Sequence, residues 1–146
     1  MAQIFALTLS DANHVLGYKD YWHSHAAMKA LKLFGRRKNG SDGIIAEDAN
    51  TMAQMIVHQL THQTSTALPE VAFSEESKHF SKTPKILATH PLMLVGLALH
   101  KGLVRIETGL NIPVVGIGAS AGHYYPAVGE RLNCRVAVSK RPVLPT

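Results

Sequence analysis

The sequence predicts an α/β chain, helical in its first half and carrying a small sheet in its second. Three observations carry that expectation. Before residue 65, apolar residues recur at three- and four-residue spacing, as one buried face of a helix requires. After residue 110, two short β-branched runs flank a helical stretch, and strands alternating with helices build parallel sheets. Between the first run and that helix stand Gly116, Gly118 and Gly122, and glycine adopts turn dihedrals that other residues avoid.

The elements follow in order. A helix is expected over about residues 20–36, with Ala27, Ala30, Leu31 and Phe34 as its apolar stripe and Lys29, Lys32 and Arg36 on the other face. Asn39-Gly40 is its stop signal. A longer helix is expected over about residues 43–64, capped by Ser41 or Asp42, with the stripe Ile45, Ala49, Met52, Ile56 and Leu60. Residues 74–85 are polar and charged and read as a mobile loop. A short helix near 91–101 precedes a strand at 104–107, and Asn111-Ile-Pro113 leads into a strand over 114–117. The glycine turn, a helix over about 123–132 and a strand over 134–138 follow, the three strands sharing one sheet. A single domain is expected, with a helical part about 1–73, the polar loop about 74–85, an α/β part about 86–140 and an irregular tail 141–146.

Composition bounds the function. At 146 residues and 46% hydrophobic content, the chain can bury a core without staples. Its one cysteine, Cys134, excludes an intrachain disulfide framework and, opening a strand, reads as a buried structural thiol. The N-terminus has no basic n-region and reaches polar Ser10-Asp11 too early for a signal peptide. The longest apolar run, 92–99, is too short to span a bilayer. A cytoplasmic protein without membrane contact is the expectation. The net charge of +5 raises the question of a polyanion, but aromatics are only 6% and do not interleave with the basic residues. No stacking platform for nucleic acid is visible.

Two catalytic patterns fail on inspection. His58-Gln-Leu-Thr-His62 places two imidazoles on one helix face, yet Gln59 stands where a zincin needs its glutamate. His23-Ser-His25 adds no Cys/His spacing of a structural zinc site, so solvent-facing histidines are expected. Gly118-Ala-Ser-Ala-Gly122 has the form of a nucleophile elbow, but only Glu130 follows it and no histidine lies beyond His123. Glu107 and Glu130 are the carboxylates nearest the turn, too few for paired acid/base work. No catalytic residue and no metal ligand is assigned.

The glycine turn carries the functional expectation. Glycines leave no side chain in a ligand's way, and the helix after them presents free N–H groups to phosphate. One reading is dinucleotide binding: Gly116-x-Gly118-x-x-x-Gly122 is near that fingerprint, and Ser139-Lys140-Arg141 stands where a 2′-phosphate reader of NADP would sit. The other is the adenosine-side loop of actin-like ATPases, which lies late in the chain before a helix with a proline in its first turn, here Pro126.

Two segments favour the second reading. Leu7-Thr-Leu-Ser-Asp-Ala-Asn-His-Val-Leu-Gly17, and then Val114-Val-Gly-Ile-Gly-Ala-Ser120 with Tyr125-Pro-Ala-Val-Gly-Glu-Arg-Leu132, resemble stretches of the C-terminal part of the hydantoinase/oxoprolinase family, in the family's order. The resemblance implies an actin-like ATPase fold of two lobes with ATP in the cleft, used to open cyclic amides such as 5-oxoproline or N-methylhydantoin. It implies that Gly116, Gly118, Ala119, Ser120 and Gly122 line the adenosine side through backbone approach and hydrogen bonding. Three departures stand out: Ser120 replaces an expected proline, residues 139–146 replace an acidic-aliphatic segment, and the early Asp-Gly-Gly-Thr-type phosphate loop and metal-binding acid are absent. The chain therefore resembles one lobe or part of one, with an incomplete ATP site, Mg²⁺ held only with the missing lobe, and no activity alone. Its expected partners are that lobe, another subunit, or a second copy covering the faces a lone lobe leaves bare.

Overall fold

The computed structural model describes residues 7–18, 24–118 and 120–139. They form a mixed α/β chain, mostly helical, with one two-stranded parallel sheet. Residues cluster into two compact units, 1–59 and 60–146.

The first unit holds α1 (Leu9–Val15), α2 (Ser24–Gly35) and the start of α3 (Ala49–Glu75). The sequence reading placed no helix at α1. Its signal was Thr8-x-x-Asp11, a capping pair: the Thr8 backbone N–H and hydroxyl both donate to Asp11 Oδ2, at 2.8 and 2.7 Å. The core is built from small residues, with Ala12, Leu31, Ala46, Ala49, Met52 and Ala53 buried and Phe34, Ile45 and Ile56 packed against them. Gly35 ends α2 because nothing larger fits: a Cβ there would lie 2.8 Å from the Ala46 carbonyl oxygen.

Two helix boundaries differ from expectation. Residues 20–23, expected to open α2, lie outside the described residues. The second helix begins at Ala49 rather than near residue 43. Asn39 Oδ1 accepts from the N–H groups of Ser41 and Gly43, making an Asx turn, and Asp42 is left-handed at φ 62°. Asp48 is the cap, its Oδ1 accepting from Thr51 N–H at 2.7 Å. The helix then runs past residue 64 to Glu75 with Pro69 fully buried inside it. Proline removes the bond to the Ser65 carbonyl, and around it Ser65 and Thr66 hydroxyls donate back to the Thr61 and His62 carbonyls.

The second unit holds the end of α3, a 3-10 turn at Ser77–His79, α4 (Pro84–Ala88), α5 (Pro91–Leu97), β1 (Val114–Ile117), α6 (Ala121–Arg131) and β2 (Val136–Ser139). The segment expected as a polar loop is partly helical, and Phe80 within it meets Phe73 edge-on at 5.1 Å. Prolines open α4 and α5, where their missing N–H costs nothing. The core gathers Leu97, Val128 and Leu132, with Leu68, Met93, Leu110, Tyr124 and Cys134 against them.

β1 and β2 pair in parallel, Val114 opposite Val136 and Ile117 opposite Ser139. The third expected strand, 104–107, is not formed. Alternation alone gave that expectation, but Val104 is 65% exposed and Arg105 turns its guanidinium to Glu107 Oε1. Among the described residues no helix is long and apolar enough to cross a membrane.

Candidate functional site

The turn sits where the sequence places it, between the C-terminal end of β1 and the N-terminus of α6. In open α/β sheets that end of a parallel strand is where ligands bind. α6 covers one face of the pair: Val114 and Gly116 are buried, while Val115 and Ile117 on the other face are 58% and 68% exposed. Two contacts seat the helix. Gly116 faces the Tyr125 ring, and Gly129 lets Val136 press against the α6 backbone, where a Cβ would overlap the Val136 methyl.

The five glycine-turn residues fall into different environments. Gly116 is buried under Tyr125, where a Cβ would stand 3.0 Å from the ring. Its small size serves helix packing there. Gly118 has φ 121° and nothing within 4 Å of where a Cβ would project. Ser120 is half-buried at the N-cap of α6, with φ −100° and ψ −5°, and its hydroxyl makes no capping bond. Gly122 is exposed with open space around it. Ala119 lies outside the described residues, as do Lys140, Arg141 and the tail. The open backbone is therefore Gly118 and Gly122.

α6 starts at Ala121 rather than near residue 123, so Pro126 falls in its second turn and not its first. Proline there withdraws the N–H that would bond the Gly122 carbonyl. The Ala121 N–H turns back to the Gly118 carbonyl at 3.1 Å and the His123 N–H to the Ser120 carbonyl at 3.2 Å. These bonds fix the turn's backbone on the helix.

Burial acts on two titratable groups of the unit, Tyr124 and Cys134. Partial burial raises the Tyr124 hydroxyl above its ordinary value, with the Tyr125 ring beside it at 4.8 Å adding to the effect. Burial likewise pushes up the Cys134 thiol, which is half-buried at the start of the β2 approach. That suits packing better than nucleophilic attack, since the thiolate is the reactive form. His58 and His62 are exposed on α3, and His23 lies outside the described residues. Among the described residues no three His, Cys, Asp or Glu side chains converge as a metal site.

Sequence reasoning missed the groove beside β1. It has a volume of about 570 Å³ and is lined by apolar side chains including Val71, Phe73, Met93, Ile112 and Tyr125. Its walls come from segments far apart in sequence, so no local pattern announces it. Comparison with protein-family models, with characterised proteins and with solved structures finds no match.

Proposed function

We propose that this chain supplies the adenosine-side turn of an actin-like ATPase lobe of the hydantoinase/oxoprolinase type. Gly118 carries the reading. It combines a positive φ with open space, at the C-terminal end of a parallel strand and one turn before a helix N-terminus. A nucleoside can approach such a backbone closely, and the helix end favours an anion. Contact falls on Gly118, Ser120 and Gly122, with Ala119 between them, whereas Gly116 acts through its packing on Tyr125.

The bare sheet face supports the lobe reading. Parallel strands are normally covered on both faces, yet Val115 and Ile117 are exposed. A missing lobe, another subunit or a second copy would cover them. Phosphoryl transfer needs Mg²⁺ and groups around the terminal phosphates, and no phosphate-loop motif occurs among these 146 residues. The chain alone binds adenine nucleotide weakly and does not turn it over; with its partner it serves ATP-dependent opening of a cyclic amide.

The register favours one rival. Ser139 pairs with Ile117, so β2 ends level with the end of β1, the strand end at which the NADP reading places its 2′-phosphate reader. Calorimetry separates the two on folded variants checked by circular dichroism. Gly118→Val should abolish ATP binding and Lys140→Ala leave it unchanged; loss of NADP binding on Lys140→Ala establishes the rival instead. Binding of neither nucleotide leaves an interaction domain, and robust ATP hydrolysis by the isolated chain overturns the proposal.

A further inference from the structure

A second surface lies in the first unit, independent of the glycine turn. α1 and α2 enclose a groove of about 590 Å³, lined by Ala26, Ala30 and Leu33 and bounded by Leu7, Asp11 and Arg37. That volume falls within the roughly 300–1,000 Å³ of binding pockets. On α2, Ala26, Ala30 and Leu33 recur at helical spacing beside the buried Ala27, Leu31 and Gly35, and Ala27 and Phe34 also line the groove. One apolar stripe seats a surface helix, and Ala26, Ala30 and Leu33 extend the apolar surface of α2 beyond it. That extension is open, with Leu33 66% exposed.

Charge narrows what fills it. α2 carries no carboxylate. Lys29 on α2 and Arg36 in the turn just after it are both exposed. Arg37 closes the end of the groove, its guanidinium held over the Phe34 ring at 4.9 Å. Among the described residues the one acid in the lining, Asp11, already accepts two hydrogen bonds from Thr8. The groove is thus apolar along its length and cationic along the α2 side. A flat anionic membrane does not enter a concavity walled by Asp11. Single-stranded nucleic acid would need aromatic faces, and among the described residues the one aromatic in the lining, Phe34, is covered by Arg37.

We propose that the α1–α2 groove docks an acidic amphipathic helix of a partner protein, its leucine-sized side chains seated on Ala26, Ala30 and Leu33 and its carboxylates over Lys29, Arg36 and Arg37. The alanines let a third helix approach closely, and helix-in-groove recognition reads i, i+3, i+4, i+7 anchors in this way. The test uses the full chain and two labelled helical peptides with leucine at those positions, one with glutamate and one with lysine between them, followed by fluorescence anisotropy. The glutamate peptide should bind saturably, and the lysine peptide at least about tenfold more weakly. Leu33→Asp should weaken the glutamate peptide by about tenfold or more, and Lys29→Glu with Arg36→Glu should reverse the preference. All three positions are exposed, so circular dichroism should be unchanged. Absence of saturable binding, equal affinity for both peptides, or indifference to Leu33→Asp overturns the proposal. Tighter binding to phosphatidylserine vesicles or single-stranded DNA than to the glutamate peptide also overturns it.

Discussion

Gly116 on β1 is the socket for the Tyr125 ring of α6: a Cβ at Gly116 would stand 3.0 Å from the ring's Cγ and 3.2 Å from both Cδ1 and Cδ2. Gly116→Ala should destabilise the chain by about 1–3 kcal/mol, the usual cost of overpacking. Gly116→Ala with Tyr125→Leu should cost less than the sum of the single changes, because the smaller side chain gives the methyl room. Denaturant unfolding of the four proteins measures the coupling. Strict additivity would show that the ring does not rest on the glycine.

Gly118 and Gly122 should respond oppositely to alanine. Gly118 sits at φ 121°, so Gly118→Ala should cost about 1–3 kcal/mol through backbone strain alone, although nothing blocks the methyl. Gly122 lies in the first turn of α6 with open space around it. Gly122→Ala should stabilise by about 0.5–1 kcal/mol, as alanine does for glycine in a helix. Thermal unfolding gives both signs.

Acid should weaken the start of α3. The Thr51 backbone N–H, then its hydroxyl and the Asn50 N–H, hold the Asp48 carboxyl below its ordinary 3.8. A depressed folded value means the cap's contribution is complete above 3.8 and is lost as pH falls through the lower folded value. Asp48→Asn should therefore flatten the pH dependence of the melting temperature below that point while retaining part of the cap at neutral pH. An unchanged acid limb in Asp48→Asn would assign the loss to other carboxylates.

The uncovered sheet face should govern self-association. Ile117 is 68% exposed, so Ile117→Glu should change stability by no more than about 0.5 kcal/mol. Sedimentation should show the wild type associating as concentration rises and Ile117→Glu remaining monomeric. Wild-type monomer at every concentration would leave a partner polypeptide as the cover.

The strand–turn–helix–strand unit was legible because each signal in it is local: the β-branched run 114–117, the glycines and the apolar positions of α6. The missed boundaries have physical causes. Ser41 and Asp42 look like caps, but the Asn39 side chain takes up the Ser41 and Gly43 N–H groups in a turn, leaving capping to Asp48. The helix expected to end near residue 64 runs on to Glu75, with Pro69 fully buried within it. Residues 104–107 alternate as a strand does, but alternation does not supply a neighbouring edge. In the candidate site, the glycines were legible as a turn, while their division of labour was not. Gly116 and Gly118 are two residues apart, and only the arrival of Tyr125 from α6 separates a packing position from an open one.

The parallel pairing of β1 and β2 also sets how the unit folds. Parallel strands cannot close as a hairpin and must wait for their crossover, here α6. That helix contains Pro126 and spans only 11 residues, too short to persist by itself in water. Helix and sheet must then condense together, with Gly129 admitting Val136 at the same moment that Gly116 admits Tyr125. Until β2 has been synthesised, β1 presents an apolar strand with both edges open, the kind of surface on which nascent chains aggregate. Substitutions that weaken α6 should accordingly slow refolding more than they speed unfolding.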